Sequence, residues 1–272
     1  MKTKMLAILI LATPLWAAAP PRITNGALQS LSSLSQAESL PSSSWVGYAI
    51  TAARPLSINC CDGWSANCTN CRLNNDDGAS ITHRDRDDLG PSDSRVLLFA
   101  RVRDRQIDRI RFFSPDCNVD ANGQSIYWID NVSQADSIAF LRAVVDRGTE
   151  RGRDGALLAL SMEAGATDAL IDIARNNPSS HTRGKALFWL SQQAGRKAAE
   201  TLRDAVDNDP EAEVKSKAVF GISQLPNDQS IPLLIDLLKH HKSREVRKKA
   251  AFWLGQKNDP RALNAIADIL KQ

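Results

Sequence analysis

Apolar residues change their spacing partway along the chain. From about Gln134 onward they recur at three- and four-residue intervals, a pattern that predicts amphipathic helices. Between residues 45 and 132 they instead gather in short segments rich in β-branched and aromatic residues, which predict strands. These segments are WVGYAI (45–50), RVLLFARV (95–102), QIDRIRFF (106–113) and SIYWIDNV (125–132). The chain is therefore predicted to be α+β, with strands first and helices after.

Two dipeptides predict how the strands connect. Asp104-Arg105 fits a tight turn between the second and third segments. Asn122-Gly123 predicts a hairpin, because both residues tolerate positive φ. The alternating pattern within QIDRIRFF predicts a strand with one buried face and one exposed face.

The helical part repeats itself. The segment KALFWLSQQ (185–193) returns as KAVFGISQL (217–225) and KAAFWLGQK (249–257), each copy 32 residues after the last. A second helix follows each copy, and residues 155–175 form a more divergent earlier unit. A fixed period of this size predicts stacked helical hairpins, which bury their apolar faces only against one another. A tryptophan from an adjoining unit is expected to cover Gly221, which stands where the other copies have Trp189 and Trp253.

Charged residues keep the same period. Aspartates recur on the second helices and basic residues near the start of the first helices. One interpretation is a striped surface for a partner; the other is a structural ladder between neighbouring units. The candidate partner-binding residues are Asp172, Asp204, Asp236, Asp268, Arg183, Lys215 and Arg247.

Residues 245–270 and 213–238 resemble HEAT repeats, and in particular the short bacterial type called HEAT-like or bilin-lyase-like. The resemblance covers about residues 150–272 and implies an α-solenoid that binds other proteins. Some members of this type act as bilin lyase subunits, but no catalytic motif can be transferred to this chain. The period itself predicts about four helical hairpins, and a repeat architecture without a catalytic arrangement favours a non-enzymatic role.

The first 19 residues predict an export signal. Lys2 and Lys4 precede an apolar stretch too short to span a bilayer, and small alanines follow. No later segment is apolar enough to cross a membrane. The expected organisation is a signal peptide (1–19), a serine-rich linker (20–44), a β-rich cysteine domain (45–133) and the solenoid (134–272). The protein is expected in the periplasm or outside the cell.

Export alters the interpretation of the cysteines, because disulfides persist in oxidising compartments. The disulfide candidates are Cys60, Cys61, Cys68, Cys71 and Cys117. The spacing of Cys68 and Cys71 also suits a zinc site or a redox-active thiol pair. A thiol-dependent or lyase-like enzyme subunit and a metal-binding module therefore remain alternatives to a scaffold.

The remaining features favour no cofactor and no nucleic acid. The net charge is +3, and the basic excess of residues 182–272, 16 Lys/Arg against 11 Asp/Glu, is too weak to indicate nucleic acid. No phosphate-binding glycine loop is present, and the four histidines form no recognisable catalytic or metal-binding arrangement. The sequence thus predicts an exported, non-enzymatic scaffold for another protein, with no cofactor and no bound metal.

Overall fold

The computed structural model describes residues 20–54, 56–58, 70–74, 81–83, 94–193 and 195–271. Strands occupy the first half of this part, and a 3-10 helix spans Leu34–Ser39. The strands are β1 (Arg22–Thr24), β2 (Ala27–Ser30), β3 (Ser44–Thr51), β4 (Leu56–Ile58), β5 (Asn70–Arg72), β6 (Ile81–His83), β7 (Arg95–Arg103), β8 (Gln106–Phe113), β9 (Asn118–Asp120) and β10 (Ser125–Trp128). They form a five-stranded, a three-stranded and a two-stranded sheet with the orders β2-β10-β3-β7-β8, β1-β9-β5 and β4-β6.

The predicted turn between β7 and β8 is confirmed. Asp104 and Arg105 have φ values of 50° and 62° and join two antiparallel strands. The expected exposed face of β8 is wrong, because every residue of this strand except Gln106 is buried. Helices cover one face of the strand, and a second apolar cluster lies on the other.

The hairpin predicted at Asn122-Gly123 is wrong. Both residues do have positive φ, but the strands they connect enter different sheets: β9 pairs with β1, and β10 pairs with β2. All of these pairings are parallel, so the β1–β2 and β9–β10 connections run side by side. They are so close that a Cβ on Gly26 would lie 2.3 Å from the Cβ of Ala121.

The linker expected over residues 20–44 also needs correction. Strands β1 and β2 of this segment pair with β9 and β10, and Leu34 and Ala37 of the 3-10 helix are buried. The serine-rich composition does not predict these short edge strands, because their hydrogen bonds are made by the backbone and depend little on the type of side chain. The segment is part of the β-rich half of the molecule.

Nine helices follow within the described residues, and they pack as antiparallel neighbours. They are α1 (Gln134–Arg147), α2 (Glu150–Met162), α3 (Thr167–Asn176), α4 (Ser180–Gln193), α5 (Arg196–Asn208), α6 (Ala212–Gln224), α7 (Asn227–His240), α8 (Arg244–Gly255) and α9 (Pro260–Leu270). The first helices of successive hairpins (α2, α4, α6 and α8) contact one another in order, and each second helix packs on the first helices beside it. The predicted stack of helical hairpins is confirmed.

The sheet and the helices share one apolar core. It runs from Leu34, through the helix-facing side of β3, β7 and β8, to Ala262 in the last helix. Gly152 and Gly155 let α2 lie directly on β8, since a Cβ on Gly152 would sit 2.0 Å from the carbonyl oxygen of Ile107. The helical array is therefore built outward from the sheet.

The residue that covers Gly221 is not the tryptophan expected from the sequence. A Cβ at this glycine would lie 2.5 Å from Leu202 Cδ2 of α5 and 3.5 Å from Ser191 Cβ of α4. Trp189 and Trp253 are only partly buried against the core. Their rings contact those of Phe188 and Phe252.

Candidate interaction surface

The basic residues that repeat every 32 positions bind backbone carbonyls. Arg183 donates to the carbonyls of Asn177 and Pro178, just beyond the end of α3. Lys215 donates to the last-turn carbonyls of α5, at 3.0 Å and 2.8 Å. Arg247 donates to the carbonyls of His241 and Lys242, at 2.7 Å and 3.0 Å. Each basic side chain thus satisfies acceptors that the preceding helix leaves without partners.

Arg183 makes an additional contact that the other two do not. Its guanidinium binds both carboxylate oxygens of Asp209, at 2.8 Å and 3.0 Å, and it is buried. The hydrogen bonds to Asp209 raise the pKa of Arg183. Burial alone would raise the pKa of Asp209, but the hydrogen bonds from Arg183 and the Glu211 amide lower it overall. This is a buried, charge-assisted clamp between α4 and the end of α5.

The repeated aspartates face arginines from the neighbouring hairpin. The carboxylates of Asp172 and Asp236 accept hydrogen bonds from Arg142 and Arg203. Asp204 lies 3.4 Å from Arg175. Hydrogen bonds from Asn176 and Arg142 hold the pKa of Asp172 below its ordinary value.

These pairs link α1 to α3, α3 to α5 and α5 to α7, so the structural-ladder interpretation describes their contacts. In the part of the chain that the structure describes, Asp268 is exposed and has no ion pair. Binding of a partner by the aspartates or the basic residues stays a prediction.

A groove of about 370 Å³ runs beside α5 toward Leu233 of α7. Its charges are matched internally: Arg203 lies 2.9 Å from Asp207, and Arg196 lies 3.4 Å from Glu200. Few charged side chains on this second-helix face therefore remain without an opposite charge for a partner to bind.

Aromatic side chains cross the surface of the first helices. Phe188 and Phe220 stack nearly parallel, with ring centroids 6.5 Å apart, and the Phe220 ring lies 5.1 Å from that of Trp253. Phe188 also meets Trp189 at 5.0 Å, and Phe252 meets Trp253 at 4.9 Å. Phe188 is 36% exposed and Phe252 is 58% exposed. We call these five residues, on α4, α6 and α8, the aromatic row.

The aromatic row was not predicted from the sequence, although the repeat contains a signal for it. Phe188, Phe220 and Phe252 recur at the 32-residue period, each one position before Trp189, Gly221 or Trp253. Helical periodicity assigns aromatic residues to the core by default, because large apolar side chains are seldom left outside. Only the packing shows that this position faces outward.

The cysteine loop lies mostly outside the described residues, including Cys60, Cys61 and Cys68. The backbone of Cys71 belongs to β5 and pairs with Val119, two residues from Cys117. Cys117 is buried in the second apolar cluster, on the sheet face that points away from the helices. This register brings the two segments that carry Cys71 and Cys117 side by side.

A buried polar cluster lies where the helices meet the sheet. The hydroxyl of Ser137 in α1 donates a hydrogen bond to a carboxylate oxygen of Glu163 at 2.9 Å. The same hydroxyl lies 3.1 Å from the hydroxyl of Tyr48. Burial raises the pKa of Glu163 to about 7 and also raises that of Tyr48. The adjoining backbone is fixed to β3, since the Ala164 amide donates to Thr51 at 2.9 Å. Ser137, Glu163 and Tyr48 thus form a buried polar contact between α1, the end of α2 and β3.

Among the described residues, no group of three or more histidine, cysteine, aspartate or glutamate side chains could hold a metal ion. None of the helices in the described ranges is long and apolar enough to cross a membrane. The signal segment, residues 1–19, lies outside those ranges.

Comparison with known families concerns the helical array. A family model of HEAT repeats matches residues 167–240 and again residues 199–272. The matched residues, 167–272, are therefore similar to HEAT repeats. The matched region begins at α3 and contains every member of the aromatic row. No curated protein matches the chain at a significant level.

Proposed function

We propose that the protein is an exported, non-enzymatic scaffold that binds another protein through the first-helix surface of its HEAT array. The aromatic row is the observation that carries this proposal. HEAT repeats commonly serve as protein-interaction surfaces, and the row leaves aromatic area in contact with water on three consecutive first helices. Aromatic side chains are enriched where protein interfaces bind most strongly.

The row supports binding better than the charged ladders do. The ladder residues other than Asp268 already contact carbonyls or opposite charges within the chain, so a partner would have to displace those contacts. Half-exposed ion pairs of this kind contribute about 0–1 kcal/mol each and are screened by salt. Exposed aromatic surface has no competing contact to lose and gains from burial at about 25 cal/mol per Å².

The export proposal rests on the basic and apolar character of residues 1–19. In an oxidising compartment, a disulfide from Cys117 into the loop that holds Cys60, Cys61, Cys68 and Cys71 would fasten this loop to the second apolar cluster. The alternative, a thiol-dependent or lyase-like enzyme subunit or a metal-binding module, depends on the same loop. Counting free thiols and measuring zinc in the purified mature protein separates these possibilities.

The scaffold proposal is tested by co-purification from an envelope extract with three forms of the protein. The wild type is compared with Phe188→Ala/Phe252→Ala, which removes exposed aromatic area. The charge-reversal variant Asp204→Lys/Asp236→Lys serves as the matched change on the second-helix face. Circular dichroism and thermal unfolding verify that all three are folded.

We expect the wild type and the charge-reversal variant to retain the same protein, and the phenylalanine variant to lose it. Loss of capture only on charge reversal would move the interface to the aspartates of the second helices. Equal capture by all three forms would contradict binding through either surface.

A further inference from the structure

One end of the aromatic row carries charges that the other repeats lack. On α8, Arg244, Lys248 and Phe252 stand at successive four-residue intervals, so they form one stripe along the helix. All three are exposed. We call this set the α8 stripe.

The repeat architecture does not require these basic residues. The positions equivalent to Arg244 and Lys248 are Ala212 and Ser216 on α6, and Ser180 and Gly184 on α4. Arg244 and Lys248 are thus separate from the ladder that caps helix ends, whose members occur in every copy. The repeat period therefore does not account for these two charges beside Phe252, the most exposed member of the aromatic row.

The surrounding charge is also one-sided. Six basic residues stand between positions 242 and 257, against the single acid Glu245. Two of them, Arg247 and Lys257, donate to backbone carbonyls. Within the described ranges the other four make no ion pair; they are Lys242, Arg244, Lys248 and Lys249.

The charges elsewhere along the row are mixed. Lys185 and Lys217 are held by the carboxylates of Asp154 and Glu213. A uniformly anionic partner, such as a nucleic acid or an anionic bilayer, would meet these acids as it spread along the row. A protein segment can place its carboxylates at α8 alone and lay apolar groups on the rest of the row.

We propose that the α8 stripe and the adjoining aromatic row bind an acidic segment of the partner protein that also carries a large aromatic side chain. The carboxylates of the segment bind Arg244 and Lys248, with Lys249 and Lys242 at the rim. The aromatic side chain packs against Phe252 and Trp253. This inference rests on the proposed scaffold function and names the chemistry of its partner.

The test uses the full mature chain and a synthetic peptide of about 12 residues with several glutamates around one tryptophan. In extended form this length reaches across three helices spaced about 10 Å apart. Fluorescence anisotropy gives its Kd. Peptides with glutamine in place of glutamate, or alanine in place of tryptophan, test each half of the recognition. Anionic phospholipid vesicles and a single-stranded oligonucleotide are the competing probes.

Two protein variants locate the site. Arg244→Glu/Lys248→Glu reverses the basic stripe, and Phe252→Ala removes the aromatic contact. The matched controls are Lys239→Glu, an exposed lysine at the end of α7, and Leu28→Ala, an exposed apolar residue of β2 that is 42% exposed. Thermal unfolding confirms that each variant is folded.

We expect the acidic aromatic peptide to bind the wild type, and each site variant to weaken it by about tenfold or more. The controls stay within about twofold, and added salt weakens binding. Absence of peptide binding, equal affinity for the site variants, or binding of vesicles or oligonucleotide alone would overturn the inference. If a protein is still captured from extract through Phe188 and Phe252 while the peptide fails, the scaffold function stands and only the partner chemistry is wrong.

Discussion

The two faces of the helical array carry equally regular residues but leave different groups available. On the second-helix face, the aspartates of α3, α5 and α7 lie against arginines of the preceding hairpin. On the first-helix face, the phenylalanines of α4, α6 and α8 keep part of their rings in water, most of all Phe252.

The difference shows that regular spacing alone does not identify a binding surface. A charge that recurs in every unit is suited to a contact that recurs in every unit, such as a helix cap or a pair between hairpins. A binding site for one partner needs something that distinguishes one place along the array. In this chain that distinction lies at α8, where basic residues join the aromatic row.

The first prediction separates two members of the basic ladder. Arg183→Ala removes a clamp on the buried Asp209 as well as a helix cap, so it should lower the free energy of unfolding by about 3 kcal/mol. Arg247→Ala removes carbonyl contacts only and should cost about 1 kcal/mol. Urea unfolding of both variants measures the difference. Equal losses would mean that the ladder acts uniformly and that the carboxylate contact adds nothing.

The second prediction concerns Glu163, in the buried polar cluster where the helices meet the sheet. Burial raises the pKa of Glu163 from 4.5 to about 7. Between pH 4.5 and pH 7 the carboxyl group is therefore protonated in the folded protein and ionised in the unfolded chain. The free energy of unfolding contributed by Glu163 should therefore fall as the pH rises from about 4.5 to 7 and then stay level.

Glu163→Gln should remove this dependence and stabilise the protein at pH 8 by on the order of 2 kcal/mol, with little change at pH 4.5. Urea unfolding across this range measures it, and Glu200→Gln on the exposed surface of α5 is the control. A variant with the same pH dependence as the wild type would show that Glu163 titrates normally.

The third prediction compares two glycines of the first helices. Gly221→Ala places a methyl group 2.5 Å from Leu202 and should destabilise the array by about 1–2 kcal/mol. At Gly255 the nearest atom to an added Cβ is Ile266 Cδ1, at 4.0 Å. Gly255→Ala should therefore stabilise by up to about 1 kcal/mol through helix propensity. Thermal unfolding shifts of the same sign would refute this account of the packing between the two faces.

The smallest effect is expected on the second-helix face. Asp204→Asn/Asp236→Asn removes two half-exposed ion pairs and should change the free energy of unfolding by less than about 1 kcal/mol. Partner capture should be unchanged. A loss of binding without loss of stability would assign these aspartates to an interface and reverse the comparison between the faces.

Much of the fold follows from the sequence because the contacts that decide it are local or periodic. Short apolar patterns predict the stacked hairpins and the strands at 45–50, 95–102 and 106–113. The pairing of β1 and β2 with β9 and β10 joins residues about 95 positions apart, and no local pattern specifies such partners. The expected hairpin at Asn122-Gly123 failed for this reason.

The candidate surface could be predicted only in part. The period identified the charged ladders. It did not predict that Arg183, Lys215 and Arg247 bind backbone carbonyls, because a pattern of side chains does not show which backbone acceptors at helix ends lie nearby. The outward orientation of Phe252 depends on where α6 and α8 cross. The basic α8 stripe departs from the repeat, and aligning it with the equivalent positions on α4 and α6 is enough to detect this in the sequence.

The central claim is that the partner binds the first-helix face. Its most direct test places a photo-reactive amino acid at position 252 or, in a separate preparation, at position 204. Phe252 is 58% exposed, and the side chain of Asp204 is 43% exposed. After irradiation in the native envelope, position 252 should give a covalent adduct with one protein, and position 204 should give none. An adduct from position 204 with none from position 252 would contradict the claim.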